Sequence, residues 1–536
     1  MYAVLFTVND ITDFSLLFRS ELPKEALAER GSGSSNVVNH RQRIESVYML
    51  YMERNKKDFR KTDKWEYALL GGCIAFYLLF PLVDGPVWCV DSAGYVSMHI
   101  TREPLYPVFL ALCRGIAGLC GMDALMIAVL LQSLLAAAAA WSVGWIVRRV
   151  KQDSRILQIL AVVFQFAVTL LCRFAARRGS AYTDSILTEG LGFSLFVLFS
   201  VSLFLLVWTG KRRYLCRTLL LSFLLVSLRK QMMITLIVMG IVFLWHELIR
   251  NRRKWRCLCL IAMIFGVLFA SKLFDRCYQY SVRGVWMEHS GNSMGILCTL
   301  LYSSDVERDE GLFEEEITRQ LYREIMSQAE EQQLLYRYAE PGWLSVSSHY
   351  ADSYDAIGYG IINPVVEGYI AEQFRYDEAE AAMKYDEICG AMSHALFRQP
   401  WMPLLQVYCY NLWKGLVNSI ARAGRLLGLY AVTAYLAVGA AVCWLLWQRG
   451  KLTRPDGQTS ETCRALAEQI DATLYFTLIV MAGIVVNALV VGLIIFAQPR
   501  YMLYGMGLFY TACSMIVYDL AACLRHRHSV HTGEQE

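Results

Sequence analysis

Long apolar segments alternate with short polar loops along most of the chain. A helix needs about 20 residues to cross the roughly 30 Å hydrocarbon core of a membrane, and about ten segments reach or approach that length. The segment before Arg229 is short, so we expect a kinked or incomplete helix there. The pattern predicts an all-α polytopic membrane protein with spans at residues 65–83, 123–147, 156–172, 186–208, 217–228, 231–249, 257–274, 426–447, 472–496 and 501–523.

Two polar regions interrupt this pattern. Residues 1–64 end in a basic stretch and predict a cytosolic N-terminal extension. Residues 275–425 contain acidic stretches with helical apolar spacing, which predict a small helical module at or beside the membrane surface. The remaining chain is predicted to form a transmembrane core at 65–274 with a first long loop at 84–122, C-terminal spans at 426–525 and a cytosolic tail at 526–536.

Composition and charge agree with a membrane protein and suggest its orientation. The 536 residues are 56% hydrophobic and 18% charged, which excludes an ordinary soluble domain, and a net charge of +4 does not indicate a nucleic-acid partner. The loops RRVKQDSR, GKRRYLCR, RNRRKWR and QRGKLTR are short and basic. By the positive-inside rule they lie in the cytosol with both termini, so the first long loop and the 275–425 module are expected outside the plasma membrane.

The first long loop carries unusual polar chemistry in the stretch VDSAGYVSMHITREPLYPVFLAL, residues 90–112. The Asp91 carboxylate could take a proton from a hydroxyl group or hold a divalent cation. His99 and Glu103 are four residues apart and on a helix would share one face as metal ligands. Pro104 disfavours a helix at the residue before it. We therefore expect a polar turn rather than a metal site at this pair.

A second carboxylate, Glu189, heads the fourth predicted span in the stretch TDSILTEGLGF. We expect Asp184 or Ser185 to cap this helix, which would place Glu189 beyond the first turn without a capping role. A carboxylate inside an apolar helix is costly and indicates a functional site. Asp91 and Glu189 are therefore the candidate catalytic residues and the candidate ligands for a divalent metal, the one cofactor that the pattern admits.

Basic side chains are predicted at the same face of the membrane, against the general distribution of charge. Arg500 follows Pro499 at the start of the last span, where a cation opposes the helix dipole. A phosphate shared with the helix end would explain such an arginine better than a purely structural role. Contact with lipid headgroups is the alternative for each arginine. The candidates are Arg102, Arg229 with Lys230, and Arg500.

The order of these motifs resembles a known family. Asp91 and Tyr95, then REPLYPVFLAL, LTEGLGFSL, Arg229 and finally QPRYMLY are similar in order to the GT-C membrane glycosyltransferases. The similarity is greatest to the bacterial branch related to protein O-mannosyltransferases and lipid A aminoarabinose transferases, and it covers roughly residues 65–275 and 426–525. Ser92 stands where the mannosyltransferases carry a second acid, which leaves metal use and the acceptor class open.

The resemblance implies a GT-C-like bundle and an enzyme that takes a sugar from a polyprenyl-phosphate donor. The acceptor would be a lipid, glycan or protein of the cell envelope at the outer face of the membrane. Asp91 would lie near the transferred sugar, and the carrier phosphate would meet the basic groups. The candidate substrate-binding residues are Tyr95, Arg102, Arg229, Lys230, Arg500 and Tyr501.

Two other functions fit parts of the pattern. A polysaccharide polymerase or ligase also uses external arginines and lipid-linked glycans, but it would not need Asp91. A transporter or flippase of lipid-linked sugars would need matched broken helices in the two halves of the chain, and the sequence indicates one break, near Arg229. No GxxxxGK loop or DxD pair is present for a nucleotide-driven reaction.

Overall fold

The computed structural model describes residues 63–152, 154–175, 180–250, 254–453 and 461–533. Residues 1–62 of the predicted extension at 1–64 lie outside these ranges. So do residues 534–536 of the predicted tail at 526–536. Within them the chain is helical, and the strand-like element found is an isolated parallel β-bridge between Val87 and Ser185.

Helices of very different length make up the first half of the described chain. They are α1 (Lys64–Asp84), α2 (Ser92–Val96), α3 (Leu105–Cys120), α4 (Ala124–Val150), α5 (Arg155–Ala175), α6 (Glu189–Thr209), α7 (Arg212–Leu228), α8 (Ile234–Leu244) and α9 (Lys254–Arg283). A 3₁₀ turn at Lys230–Met233 separates α7 from α8, and a π-helical segment at Trp245–Arg250 extends α8.

The second half begins with shorter helices and ends with long apolar ones. They are α10 (Asn292–Tyr302), α11 (Val306–Asp309), α12 (Glu316–Glu331), α13 (Trp343–Asp355), α14 (Asn363–Gln373), α15 (Glu378–Leu396), α16 (Trp401–Ile420), α17 (Arg425–Leu452), α18 (Glu461–Ile494), α19 (Pro499–Met502) and α20 (Met506–Gly533). A π-helix at Ala356–Ile362 joins α13 to α14, and a 3₁₀ turn at Leu503–Gly505 joins α19 to α20.

Nine stretches of helix in the described part of the chain are long and apolar enough to cross a membrane. This confirms a multi-pass helical membrane protein. The fifth predicted span, 217–228, is not among them: it falls in α7, which has 17 residues and ends at the break before Arg229. The spanning stretches are α1, α4, α5, α6, Lys230–Glu247, α9, α17, α18 and Pro499–Arg527.

Small residues let α4 lie close to two neighbours. Ala136, Ala137 and Ala140 of α4 are buried in one cluster with Cys73 and Tyr77 of α1. On the side facing α5, a Cβ atom added at the glycine of position 144 would lie 2.8 Å from a side-chain methyl carbon. The alanine run in the sequence therefore marks a close contact between helices, as small residues often do in membranes.

A buried ion pair joins helices at the end of the bundle where α4 terminates. Lys151 Nζ lies 2.5 Å from Asp519 Oδ1 of α20 and 2.5 Å from the Thr473 hydroxyl oxygen of α18. Both charged side chains are fully buried. A buried charge is tolerated when a partner and hydrogen bonds compensate it, so these contacts fix α4, α18 and α20 to one another.

The chain between α9 and α17 forms a helical layer with its own apolar core. Tyr302, Tyr322, Tyr350 and Met392 are among its buried residues. Helix α9 continues to Arg283, past the predicted boundary at 274, and the first helix of this layer is α10. We refer to α10 through α16 as the helical layer.

The two ends of helix α16 differ in exposure. Trp401 at its start is 65% exposed, whereas Asn411 and Asn418 are fully buried. The backbone NH of Ala497 donates to Asn411 Oδ1 at 2.8 Å, and Asn418 Nδ2 donates to the Ala497 carbonyl oxygen at 2.8 Å. These bonds fix the segment that leads from α18 to Arg500.

The loop charges predict which side of the membrane each surface faces, and exposed positions can test this. Gln332 lies in the helical layer and Gly450 lies in the last turn of α17, within the basic stretch QRGKLTR, and both are exposed. In intact cells we expect Gln332→Cys to raise labelling by an impermeant thiol reagent above that of the wild-type chain, and Gly450→Cys to leave it unchanged. Labelling of Gly450→Cys with protection of Gln332→Cys would reverse the predicted orientation.

Candidate functional site

A short backbone contact brings the first long loop to the start of α6. Val87 and Ser185 form the parallel β-bridge. The Ser92 hydroxyl donates to the carbonyl oxygen of Ile186 at 2.9 Å, which fixes the start of α2 against the same segment. Because Asp91 is the residue before α2, this contact carries its carboxylate to the end of the bundle where α6 begins.

Five charged side chains then form a continuous chain at this end of the bundle. Arg102 Nη2 donates to Asp91 Oδ1 at 3.1 Å, and Arg500 Nη1 donates to Asp91 Oδ2 at 3.4 Å. Arg500 Nε also lies 3.9 Å from Glu189 Oε1. Arg229 Nη1 donates to that same oxygen of Glu189 at 3.1 Å. We call this arrangement the ion chain; its three arginines and two carboxylates leave one net positive charge.

Tyrosine rings support the arginines of the ion chain. The guanidinium carbons of Arg229 and Arg500 lie 4.4 and 4.7 Å from the ring centroid of Tyr501. Arg500 Nη2 also donates to the Tyr501 hydroxyl at 2.6 Å. The guanidinium carbon of Arg102 lies 4.8 Å from the ring centroid of Tyr95. Cation–π contacts of this kind hold guanidinium groups in place and leave their N–H edges directed at anions.

The structure thus brings together seven of the eight predicted site residues through their side chains. Lys230 enters through its backbone, whose NH donates to Glu103 Oε1 at 3.3 Å. His99 and Glu103 lie between α2 and α3, outside any helix. His99 Nδ1 is instead 2.9 Å from the hydroxyl of Thr101. The expected polar turn is present, and these two residues do not share a helical face.

The predicted cap of α6 is wrong. The helix begins at Glu189, and its N-cap is Thr188. Asp184 closes an earlier turn instead, because its Oδ2 accepts the backbone NH of Ala181 at 3.1 Å, and burial raises the pKa of this carboxyl to about 6. Glu189 therefore stands in the first turn, where the helix dipole favours a negative charge. Its burial and its two arginine neighbours are what distinguish it from an ordinary first-turn acid.

Several supporting residues were not anticipated from the sequence. Gln231 Nε2 donates to the Tyr501 carbonyl oxygen at 3.0 Å, and Asn487 Nδ2 donates to the same oxygen at 2.7 Å. Asn487 is a polar residue within a predicted apolar span, and this pattern in the sequence indicates a functional position. A Cβ atom at Gly94 would lie 2.6 Å from Arg102 Nε. Glycine at this position lets Arg102 fold over α2 toward Asp91, and nothing in the local sequence indicates this.

The residues of the site do not suit a divalent metal in this arrangement. Asp91 and Glu189 direct their oxygens at arginines rather than at each other. Among the residues that the structure describes, no group of three or more His, Cys, Asp or Glu side chains is placed to hold a metal ion. Divalent cations of this class need several oxygen ligands around one point. In this arrangement Asp91 and Glu189 are partners of arginines and do not form a cation site.

A separate cavity of about 220 Å³ lies at the opposite end of the spans. It is lined by Lys451, His526 and Arg527, among others, and contains none of the predicted site residues. Lys451 lies in the last turn of α17, where a basic side chain complements the helix dipole.

Comparison of the chain with protein-family models, with curated proteins and with solved structures finds no match.

Charge compensation in the ion chain can be tested through stability. Glu189→Gln keeps the shape of the side chain but leaves Arg229 without its carboxylate. Breaking a buried pair from one side is strongly destabilising, so we expect the free energy of unfolding to fall by about 3 kcal/mol. Equilibrium denaturation in detergent micelles measures this difference.

Glu288→Gln is the matched control. Glu288 pairs with Lys272 and Arg276, whose side chains are 67% and 44% exposed. Such surface pairs contribute about 0–1 kcal/mol, so this variant should unfold almost as the wild type does. Equal stability of Glu189→Gln and Glu288→Gln would show that the ion chain is not a buried, mutually compensated unit.

Proposed function

We propose that the protein is a membrane glycosyltransferase that moves a sugar from a polyprenyl-phosphate donor to an acceptor hydroxyl of the cell envelope at the outer face of the membrane. The observation that carries this proposal is the position of Arg500 between Asp91 and Glu189. One arginine is thereby shared between the first long loop and the start of α6.

Phosphate suits the ion chain as a ligand. Guanidinium groups bind phosphate oxygens through paired, charge-assisted hydrogen bonds. The ion chain carries one net positive charge, so a phosphate neutralises it. Without a ligand the two carboxylates take the place of phosphate oxygens, which keeps the arginines ordered and limits the cost of their burial.

The position at the end of the spans suits a lipid-borne donor. The side chains of Asp91, Arg102 and Arg500 are 29%, 27% and 24% exposed, whereas that of Glu189 is 6% exposed. The end of the ion chain at Asp91 is therefore accessible, and the end at Glu189 is buried. A carrier whose chain lies in the membrane would present its phosphate at such a boundary.

The reaction follows from an exchange of partners. The donor phosphate takes Arg500 and Arg102, and Asp91 loses the two groups that stabilise its negative charge. Its carboxylate then accepts the proton of the acceptor hydroxyl as the new carbon–oxygen bond forms at the sugar. The bond from that carbon to the phosphate oxygen breaks, and the arginines stabilise the charge on the departing polyprenyl phosphate.

A transporter of lipid-linked sugars is the second candidate, because the described residues contain a second helix break besides the one expected. The turn at Leu503–Gly505 interrupts the last span, in addition to the turn at Lys230–Met233. Transporter sites lie near the middle of the membrane between such breaks. Here the charged residues gather where helices end, which favours transfer chemistry over transport. A polymerase or ligase would leave the place of Asp91 in the ion chain unexplained.

Two substitutions separate the proposed roles. Asp91→Asn removes the proton acceptor and should lower sugar transfer by about 10² to 10⁴, while binding of a short polyprenyl phosphate persists. Arg500→Ala should weaken that binding, because the arginine contacts the donor before and during transfer. The assay follows consumption of labelled polyprenyl-phosphate sugars by protein reconstituted in lipid vesicles.

Arg398→Ala is the control, since Arg398 lies in the helical layer and pairs with exposed Glu314. It should leave both transfer and binding unchanged. Near-normal turnover by Asp91→Asn would contradict the assignment of Asp91 as the proton acceptor. Movement of intact donor across the vesicle membrane without its consumption would favour the transporter.

A further inference from the structure

The π-helix at Ala356–Ile362 has one buried face and one accessible face. Ile357 and Ile361 are fully buried in the core of the helical layer. Tyr359 is 62% exposed, and Asp355, at the end of α13, is also exposed. Single π-helical turns occur often at functional sites. The accessible face of this segment is therefore a candidate binding surface.

The same segment is fixed to the chain that carries Arg500. The Tyr354 hydroxyl donates to the carbonyl oxygen of Ile494 at 3.4 Å. The rings of Tyr354 and Phe496 pack edge to face with centroids 5.4 Å apart. The Thr299 hydroxyl reaches the same carbonyl oxygen of Ile494 at 3.4 Å. The end of α13 is therefore held a few residues from Arg500.

The charges of the ion chain act on this accessible face, in line with its attachment to the segment before Arg500. Partial burial raises the pKa of Asp355, the positive charge of Arg500 lowers it, and the negative charge of Asp91 raises it again. The hydroxyl of Tyr359 likewise interacts with the charges of Asp91 and Arg102. Among the described residues Asp355 has no ion pair and no side-chain hydrogen bond, whereas Asp91 has two arginine partners.

Building on the proposed function, we infer that Asp355 and Tyr359 form a subsite for a neutral, hydroxyl-bearing sugar group of the acceptor, next to Asp91. A carboxylate without a partner accepts hydrogen bonds from two neighbouring hydroxyl groups. An exposed aromatic ring offers an apolar face to the C–H side of a sugar.

The surrounding charges decide against other ligands. The positive charges of Arg500 and Arg102 act on Asp355 and Tyr359 and disfavour an ammonium group there. Asp91 and Asp355 together repel a second anion. A neutral ring with several hydroxyl groups avoids both penalties, and it would present one hydroxyl toward Asp91 while Asp355 binds others.

The test measures binding of sugar and carrier separately. Full-length protein in lipid nanodiscs is titrated with neutral methyl glycosides of common hexoses and pentoses, followed by saturation-transfer NMR, and with farnesyl phosphate as the carrier probe. Asp355→Asn and Tyr359→Ala should each weaken glycoside binding by about tenfold or more and leave farnesyl phosphate binding unchanged. Tyr359→Phe keeps the ring and should bind glycosides nearly as the wild type does.

Asp352→Asn is the matched control. Asp352 is an exposed acid on the same helix, and its charge acts on Lys414 rather than on the ion chain. Glycoside binding should survive this change. The inference is wrong if no glycoside binds the wild type, or if Asp355→Asn and Tyr359→Ala bind glycosides as the wild type does. If the glycoside results are as expected but farnesyl phosphate does not bind, the sugar subsite stands and the proposed donor is wrong.

Discussion

Charge compensation at the end of the bundle is the constraint on which the site depends. Arg229 and Glu189 are largely removed from water, and an ion there is tolerated when an opposite charge and hydrogen bonds replace the water. Arg500 cannot satisfy Glu189 alone, because it also pairs with Asp91. Each charge in the ion chain therefore limits where its neighbour can lie. Loop, span and terminal helix are held together by this alternation rather than by local sequence.

The same alternation explains how an ordered site can accept a phosphate. The arginines are already oriented by Tyr501 and by carboxylates, so little side-chain entropy is lost when a ligand arrives. In the proposed exchange, the incoming phosphate replaces one carboxylate as a partner, and the net positive charge of the ion chain compensates the added negative charge. Asp91 is the carboxylate to be replaced, since it is more exposed than Glu189. In the proposed reaction, exchange at Asp91 couples donor binding to release of a base, and the proposed subsite at Asp355 lies on the acceptor side.

The sequence predicted the membrane class, most spans, the break before Arg229 and the residues of the ion chain, because apolar length and misplaced charge are physical signals within a short window. It did not predict the start of α6, since Asp184 closes a different turn once the Val87 bridge forms. The break at Leu503–Gly505 was also missed, because apolar residues continue through it. The contacts of Asn411 and Tyr354 depend on how the helical layer packs on the 494–500 segment, which no local pattern encodes.

The central claim is that Arg500 exchanges Asp91 for the carrier phosphate. A cryo-EM structure of the full-length protein with farnesyl phosphate tests it most directly. The account predicts phosphate oxygens at about 3 Å from the guanidinium groups of Arg500 and Arg102, with the Asp91 carboxylate moved away from both and Glu189 still paired with Arg229. Phosphate bound in the cavity at Lys451 and Arg527, with the contacts between Asp91 and the two arginines intact, would contradict the claim.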